Sequence, residues 1–253
     1  MNTYAGKRRV LRLAGGDVRD FLQGLVSNDV ARLDRGLVYA AMLTPQGKLI
    51  ADFFLQADGA DVLMDLPAEL AEGLAKRLTM YKLRADVTIG PTDLAVSRGT
   101  GAAPAGALPD PRDDRLGWRL IAPEAVEADD TDWDALHVAA MVPRWGRELG
   151  PDSYLLEMGF ERLAGGDFRK GCYVGQEVTA RMKHKTELRK GLAQVAVDGA
   201  ADPGSEITAN GKPVGVLGTR AGDRALAYLR FDRARGEMQA GAAQVSLVAR
   251  GPG

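Results

Sequence analysis

The chain has 253 residues, of which 45% are hydrophobic and 26% charged, and its 33 Lys and Arg nearly balance 34 Asp and Glu for a formal net charge of -1. This excludes a disordered chain, a collagen-like fibre and a disulfide-stapled miniprotein, and it disfavours a whole-chain polyanion binder. Cys172 is the single cysteine, so one chain holds no internal disulfide, multi-thiolate metal site or self-contained iron–sulfur cluster.

The opening residues 9–13 (RVLRL) alternate as a strand, and Gly15-Gly16-Asp17 turns the chain. Asp17 is the expected N-cap of a helix reaching about Leu25, with Val18, Phe21, Leu22 and Leu25 on one face. Ser27-Asn28-Asp29 ends it. Residues 39–43 and 49–56 are expected to pair as strands around a turn at 44–48 (TPQGK). A turn at 58–61 leads to a strand at 62–65. Pro67 then opens a helix over 69–80, followed by a strand at 82–89. No strand runs into a glycine-rich phosphate loop, so the pattern is α+β and not doubly wound.

Residues 97–108 are small and read as a loop. The stretch 110–134 carries nine acids against three Arg and reads as a solvated acidic segment enclosing a strand at 117–121 (GWRLI). Charge then reverses, with eight bases against four acids over 161–190. From Gly191 onward short alternating runs at 193–197, 206–209, 213–219, 225–229 and 244–248 predict a small antiparallel barrel. The domain boundary is expected between 188 and 189. The two longest uncharged runs, 36–47 and 238–249, fall short of the roughly 18 residues of a spanning helix. With no signal-peptide pattern at the N-terminus, the expectation is a cytoplasmic chain without a membrane partner.

The densest chemistry lies at 168–181 (FRKGCYVGQEVTAR). Gly171 and Gly175 permit positive φ or close backbone approach on either side of a thiol, and Arg169 and Lys170 place positive charge beside Cys172. Gln176 and Glu177 can hydrogen-bond from a following turn or short helix. No His–Asn arrangement makes Cys172 a protease-like nucleophile. The bland reading is a small inert cysteine among surface bases.

KGCYVGQE, residues 170–177, resembles the signature of the YgfZ family. That family comprises folate-binding proteins similar in fold to the glycine-cleavage T-protein, an aminomethyltransferase, and implicated in iron–sulfur protein maturation. FLQGLVSNDV (21–30), LTPQGKLIADFFL (43–55), YKLRADVTI (81–89), PRWGRELGPDSYLLEMGF (143–160), ANGKPVGVLGT (209–219) and RALAYLRFD (224–232) extend the resemblance over roughly 8–235. It implies a T-protein-like three-lobed ring: two α+β lobes over 1–188, with a loop near 97–115, and a C-terminal β-barrel over 189–253.

The resemblance also implies tetrahydrofolate or a derivative as cofactor, no stably bound metal, and iron–sulfur client or assembly proteins as partners. Lys170 and Cys172 would form the reactive or partner-facing edge. Asp52 falls where the T-protein places a carboxylate near the reactive folate nitrogen. The T-protein usually has two acids there, and here the first position is Ala51. Leu25, Met42, Trp118 and Tyr173 are candidates for the pterin slot, as are Tyr81, Trp133 and Trp145, which serve equally as core. Arg84, Arg169 and Arg181 are candidates for the acidic tail, with Gln176 and Glu177 as polar contacts. The leading expectation is a folate-binding accessory protein for iron–sulfur assembly or repair. The competing one is a tetrahydrofolate-dependent aminomethyl transferase. An RNA-binding module on the bases of 181–190 is disfavoured, because no aromatic residue lies among them to stack a base.

Overall fold

A computed structural model describes residues 7–127, 129–184 and 187–251. The chain forms two compact units. One holds the residues up to Thr131 together with Leu163–Gln176, and the other holds Asp132–Arg162 together with the residues from Glu177 onward.

The first unit is built on a five-stranded antiparallel sheet in the order β2-β3-β4-β1-β5. Its strands are β1 (Arg8–Ala14), β2 (Val38–Leu43), β3 (Leu49–Asp58), β4 (Asp61–Pro67) and β5 (Thr88–Pro91). Helices α1 (Val18–Gln23) and α2 (Ala68–Tyr81) cover one face. On that face Leu11, Leu13, Met42, Ala51, Phe53, Leu55 and Met64 pack with Val18, Leu22, Leu74 and Leu78. β2 and most of β3 are buried on both sides, so neither strand shows a clean apolar–polar alternation.

Two expectations fail near the first turn. Asp17 does not cap α1. Its carboxylate instead accepts from the Asp86 amide at 2.8 Å. The expected strand at 82–89 begins only at Thr88, because Lys82 to Val87 makes a compact turn with Leu83 at φ 45°. Gly15, at φ 126°, lets this turn approach, since a Cβ there would sit 2.1 Å from the Asp86 carbonyl oxygen.

The region expected as loop and solvated acid carries a second, three-stranded sheet, β6-β8-β7, made of β6 (Ala95–Gly99), β7 (Leu108–Pro109) and β8 (Trp118–Ala122). Asp110 is buried rather than solvated, because it is paired with arginines from the same stretch.

The second unit contains a closed six-stranded barrel in the order β10-β11-β12-β9-β14-β13. Its strands are β9 (Lys190–Asp198), β10 (Glu206–Ala209), β11 (Lys212–Ala221), β12 (Arg224–Arg230), β13 (Met238–Ala240) and β14 (Ala243–Arg250). Inward-facing Val195, Val197, Ile207, Leu217, Leu229 and Val245 fill it. The three-residue β13 is too short to show a period in sequence. Residues 132–162 supply α3 (Trp133–Ala139), which packs on β11 and β12. Glu148 accepts from the Thr219 amide and hydroxyl, and Glu157 accepts from the Tyr228 hydroxyl. A last helix, α4 (Gln176–Lys183), precedes the barrel. Among the described residues no helix is long and apolar enough to cross a membrane.

Candidate functional site

The face of the five-stranded sheet opposite α1 and α2 carries charge. In register, Tyr39 lies opposite Phe54, Phe54 opposite Asp65, and Ala41 opposite Asp52. The neighbouring sheet lowers Arg119 onto this face, where its guanidinium donates to Asp65 at 2.5 Å and lies 3.9 Å from the Phe54 ring centroid. Arg112 pairs with Asp110 through two side-chain hydrogen bonds of 2.9 and 2.8 Å, and its guanidinium lies 4.7 Å from the Phe54 ring centroid. Arg8 donates to Asp65 at 2.6 Å. Burial alone would raise Asp65 and Asp110. Arg8 and Arg119 bring Asp65 below the usual carboxylate range, and Arg112 with Arg119 brings Asp110 down to about 2.

Asp52 sits at the edge of this cluster and is only 4% exposed. Asp52 is therefore not a solvent-facing polar residue, because both faces of β3 are covered at this point. Its Oδ2 accepts from the Tyr39 hydroxyl at 3.1 Å, while the buried Oδ1 has no hydrogen-bond partner. Burial pushes the Asp52 carboxyl up, with Arg8 and Arg112 only partly offsetting it. Burial likewise raises the Tyr39 hydroxyl well above its ordinary value. An orphaned buried acceptor is costly and calls for a partner. A donor N–H, such as a pterin would offer, is the kind of group that would satisfy that one atom.

The second constellation is the signature loop. Segment 163–170 lies along the turn after α1. Ser27 Oγ donates to the Gly165 carbonyl at 2.6 Å, and the Asp167 amide donates to the Ser27 carbonyl at 2.9 Å. Asn28 Nδ2 donates to Ala164 at 2.7 Å, and Arg32 pairs with Asp167 at 2.6 Å. Lys170 Nζ donates to the carbonyls of Gln23 and Val26 at 2.5 and 2.8 Å and lies 4.9 Å from the Tyr173 ring centroid. Burial lowers Lys170 to about 8. Beyond the cysteine, Gly175 packs on the β2–β3 turn, Gln176 Oε1 accepts from the Tyr173 amide at 2.9 Å, and Val174 reaches the sheet core. Cys172 stands exposed between these two anchors.

The expected site residues do not all converge. Lys170 is half-buried and turned toward α1, where the orphan carbonyls at the helix end draw its ammonium inward. Trp118 does not join Asp52. It neighbours Arg119 on one strand, so the two point to opposite faces, and its indole donates to Gly101. Leu25 and Met42 belong to the sheet core. Arg84 is exposed on the turn after α2, while Arg169 is exposed beside the signature. Glu177 and Arg181 are exposed on α4. Trp133 and Trp145 belong to the barrel unit, and Tyr81 is exposed at the end of α2. The residues that sequence reasoning missed are Gln23, Ser27 and Asn28, which hold the signature, and Arg8, Asp65, Asp110, Arg112 and Arg119, which flank Asp52. The motif FLQGLVSNDV flagged the first set, without saying what it touches.

Comparison with known proteins agrees with this architecture. The C-terminal β-barrel domain of CAF17 matches residues 189–251. The glycine cleavage system aminomethyltransferase T from Bartonella henselae superimposes with a TM-score of 0.75 over 96% of this chain and 82% of that one, at 12% identity, which shows a shared fold. Human mitochondrial iron-sulfur cluster assembly factor IBA57 is 30% identical, aligned over 97% of this chain and 82% of its own length. The mouse protein is 29% identical, over 96% and 81%. The signature resemblance pointed to YgfZ, whereas these relatives carry the IBA57 name; the T-protein-like fold expected with it is the fold observed. The chain belongs to the IBA57 family.

Proposed function

We propose that this protein is an accessory factor in the assembly or repair of iron–sulfur clusters in client proteins, with Cys172 as the thiol presented to a partner. The observation that carries the reading is the exposed Cys172 on a loop anchored on both sides, in a chain of the IBA57 family. A single thiol per chain suits a helper that acts with a partner better than a lone scaffold. In cells lacking the protein, Cys172→Ser is expected to restore wild-type protein levels but not the activity of iron–sulfur enzymes. Full restoration of that activity by the serine variant overturns the reading.

Folate is the small molecule of this proposal, in the YgfZ-like manner, and Asp52 is the residue assigned to it. The unpartnered Oδ1 and the T-protein fold support the assignment. Asp52→Asn is expected to weaken tetrahydrofolate binding by about 1.5–3 kcal/mol, the worth of one charge-assisted hydrogen bond. Unchanged affinity in calorimetry removes Asp52 from the site, and no saturable binding to wild type removes folate. The competing reading, an aminomethyl transferase, draws on the same fold; the side chain of Ala51 faces the apolar core, so position 51 adds nothing to Asp52. We place the activity in the cytoplasm, although the mammalian relatives are named as mitochondrial.

A further inference from the structure

The signature lysine and the glutamine of FLQG lie 147 positions apart in sequence, yet each holds the other's backbone. Lys170 Nζ donates to the Gln23 carbonyl, and Gln23 Nε2 donates back to the Lys170 carbonyl at 3.3 Å. The other contacts of Gln23 tie the clasp to its base. Its Nε2 also donates to Asp29 Oδ1 at 3.1 Å, and its Oε1 accepts from the Val30 amide at 2.9 Å. The second bond of Lys170 goes to Val26, just past the end of α1, where carbonyls lack helical partners and favour a cation.

We propose that Gln23 and Lys170 are positioning residues for Cys172, a reciprocal clasp that fixes where the loop begins and thereby where its thiol stands. The proposal rests on the reading of Cys172 as the functional thiol. Gly171 follows the clasp at φ 93° with open space around it, so it supplies direction without packing. The nearest fixed points on the far side are Gly175 and Gln176. Between Lys170 and Gly175, only Tyr173 and Val174 turn inward, and the Tyr173 ring lies against the Lys170 ammonium. Removing the clasp moves the loop's N-terminal anchor back to Asp167, which Ser27 and Arg32 hold, while its C-terminal end stays pinned. The backbone path to Cys172 then widens, while the sheet core beneath is untouched. The glutamine is not replaceable by charge: a carboxylate at 23 could not donate to the Lys170 carbonyl and would face Asp29.

Because Cys172 is the single cysteine, a nitroxide attached to it reports this loop in the otherwise unaltered chain. Electron paramagnetic resonance is measured on the labelled full-length protein, its Gln23→Met and Lys170→Met variants, the double variant, and Lys170→Arg. Each methionine variant is expected to shorten the nitroxide's rotational correlation time about threefold, toward the nanosecond motion of free loops. The double variant should move little further, since both changes open one clasp. Lys170→Arg, which keeps the charge and several donors, should restore most of the order. A merely structural contribution predicts lower melting temperatures with an unchanged line shape, and that result overturns the proposal. So does an additive double variant. If Lys170→Met fails to fold, Gln23→Met and Lys170→Arg still decide between these outcomes. The measurement uses no iron–sulfur enzyme. A mobile label in the variants beside an active Cys172→Ser protein in cells would therefore leave the clasp standing and remove only the proposed function.

Discussion

Gly175 shows how much one residue of the signature depends on tertiary contact. Its φ is 83°, and a Cβ added there would lie 2.6 Å from the Thr44 carbonyl oxygen and 2.9 Å from the Leu43 Cβ. Positive φ and close backbone approach both call for glycine here. Gly171 also has positive φ, but a Cβ there meets nothing. Each alanine variant is expected to lose about 1–3 kcal/mol, the range for one strained backbone conformation, and Gly175→Ala more than Gly171→Ala because its Cβ also meets the Thr44 backbone. Chemical denaturation of the two variants checks the order, and equal losses would place the whole effect in φ. The two glycines look alike in KGCYVGQE; their different constraint comes from the turn at 44–48, more than a hundred residues earlier.

At the scale of elements, β8 ties the second sheet to the first through one buried arginine. Arg119 is 2% exposed and reaches Asp65 at 2.5 Å and Asp110 at 3.6 Å. Arg119→Met leaves two buried carboxylates with one arginine each and is expected to destabilise the protein by about 3–5 kcal/mol near neutral pH. The pH dependence has a definite sign. Both carboxyls titrate below their unfolded value in the native state, so their contribution is full above about pH 4. It is lost as pH falls through the native value, about 2 for Asp110. The gap between wild type and Arg119→Met should therefore narrow from pH 5 to pH 2, each figure being about where these groups begin and finish protonating. Denaturant midpoints across that range check it, and a constant gap would mean that Arg119 acts by packing alone. GWRLI is a legible strand in sequence, but the partners of its arginine are not, because Asp65 lies 54 positions away on another strand.

For the molecule as a whole, the barrel leans on chain that precedes it. Glu148 satisfies Thr219, Glu157 satisfies Tyr228, and Gln194 donates to the Val138 carbonyl. Gly191 lies so near Glu157 that a Cβ there would meet its carbonyl oxygen at 2.8 Å. A fragment of residues 132–251 is expected to melt higher than one of 189–251, because the shorter piece exposes these groups and the surface under α3. Equal melting temperatures would show that the barrel core is sufficient alone.

The hairpins, the two principal helices and five of the six barrel strands follow from the chain's own periodicity and turn residues, because those signals act over a few positions. KGCYVGQE marked the candidate loop in another way, through its run of residue types and its family resemblance. Three things needed the folded molecule. The burial of Asp52 and Asp110 depends on a second sheet closing over the first, and composition read that acidic stretch as solvated. The inward turn of Lys170 depends on the end of α1. The separation of Trp118 from Asp52 depends on which face of β8 meets the larger sheet. Each is a contact between residues far apart in sequence, and local propensity carries no information about which distant groups will neutralise a charge or fill a hydrogen bond.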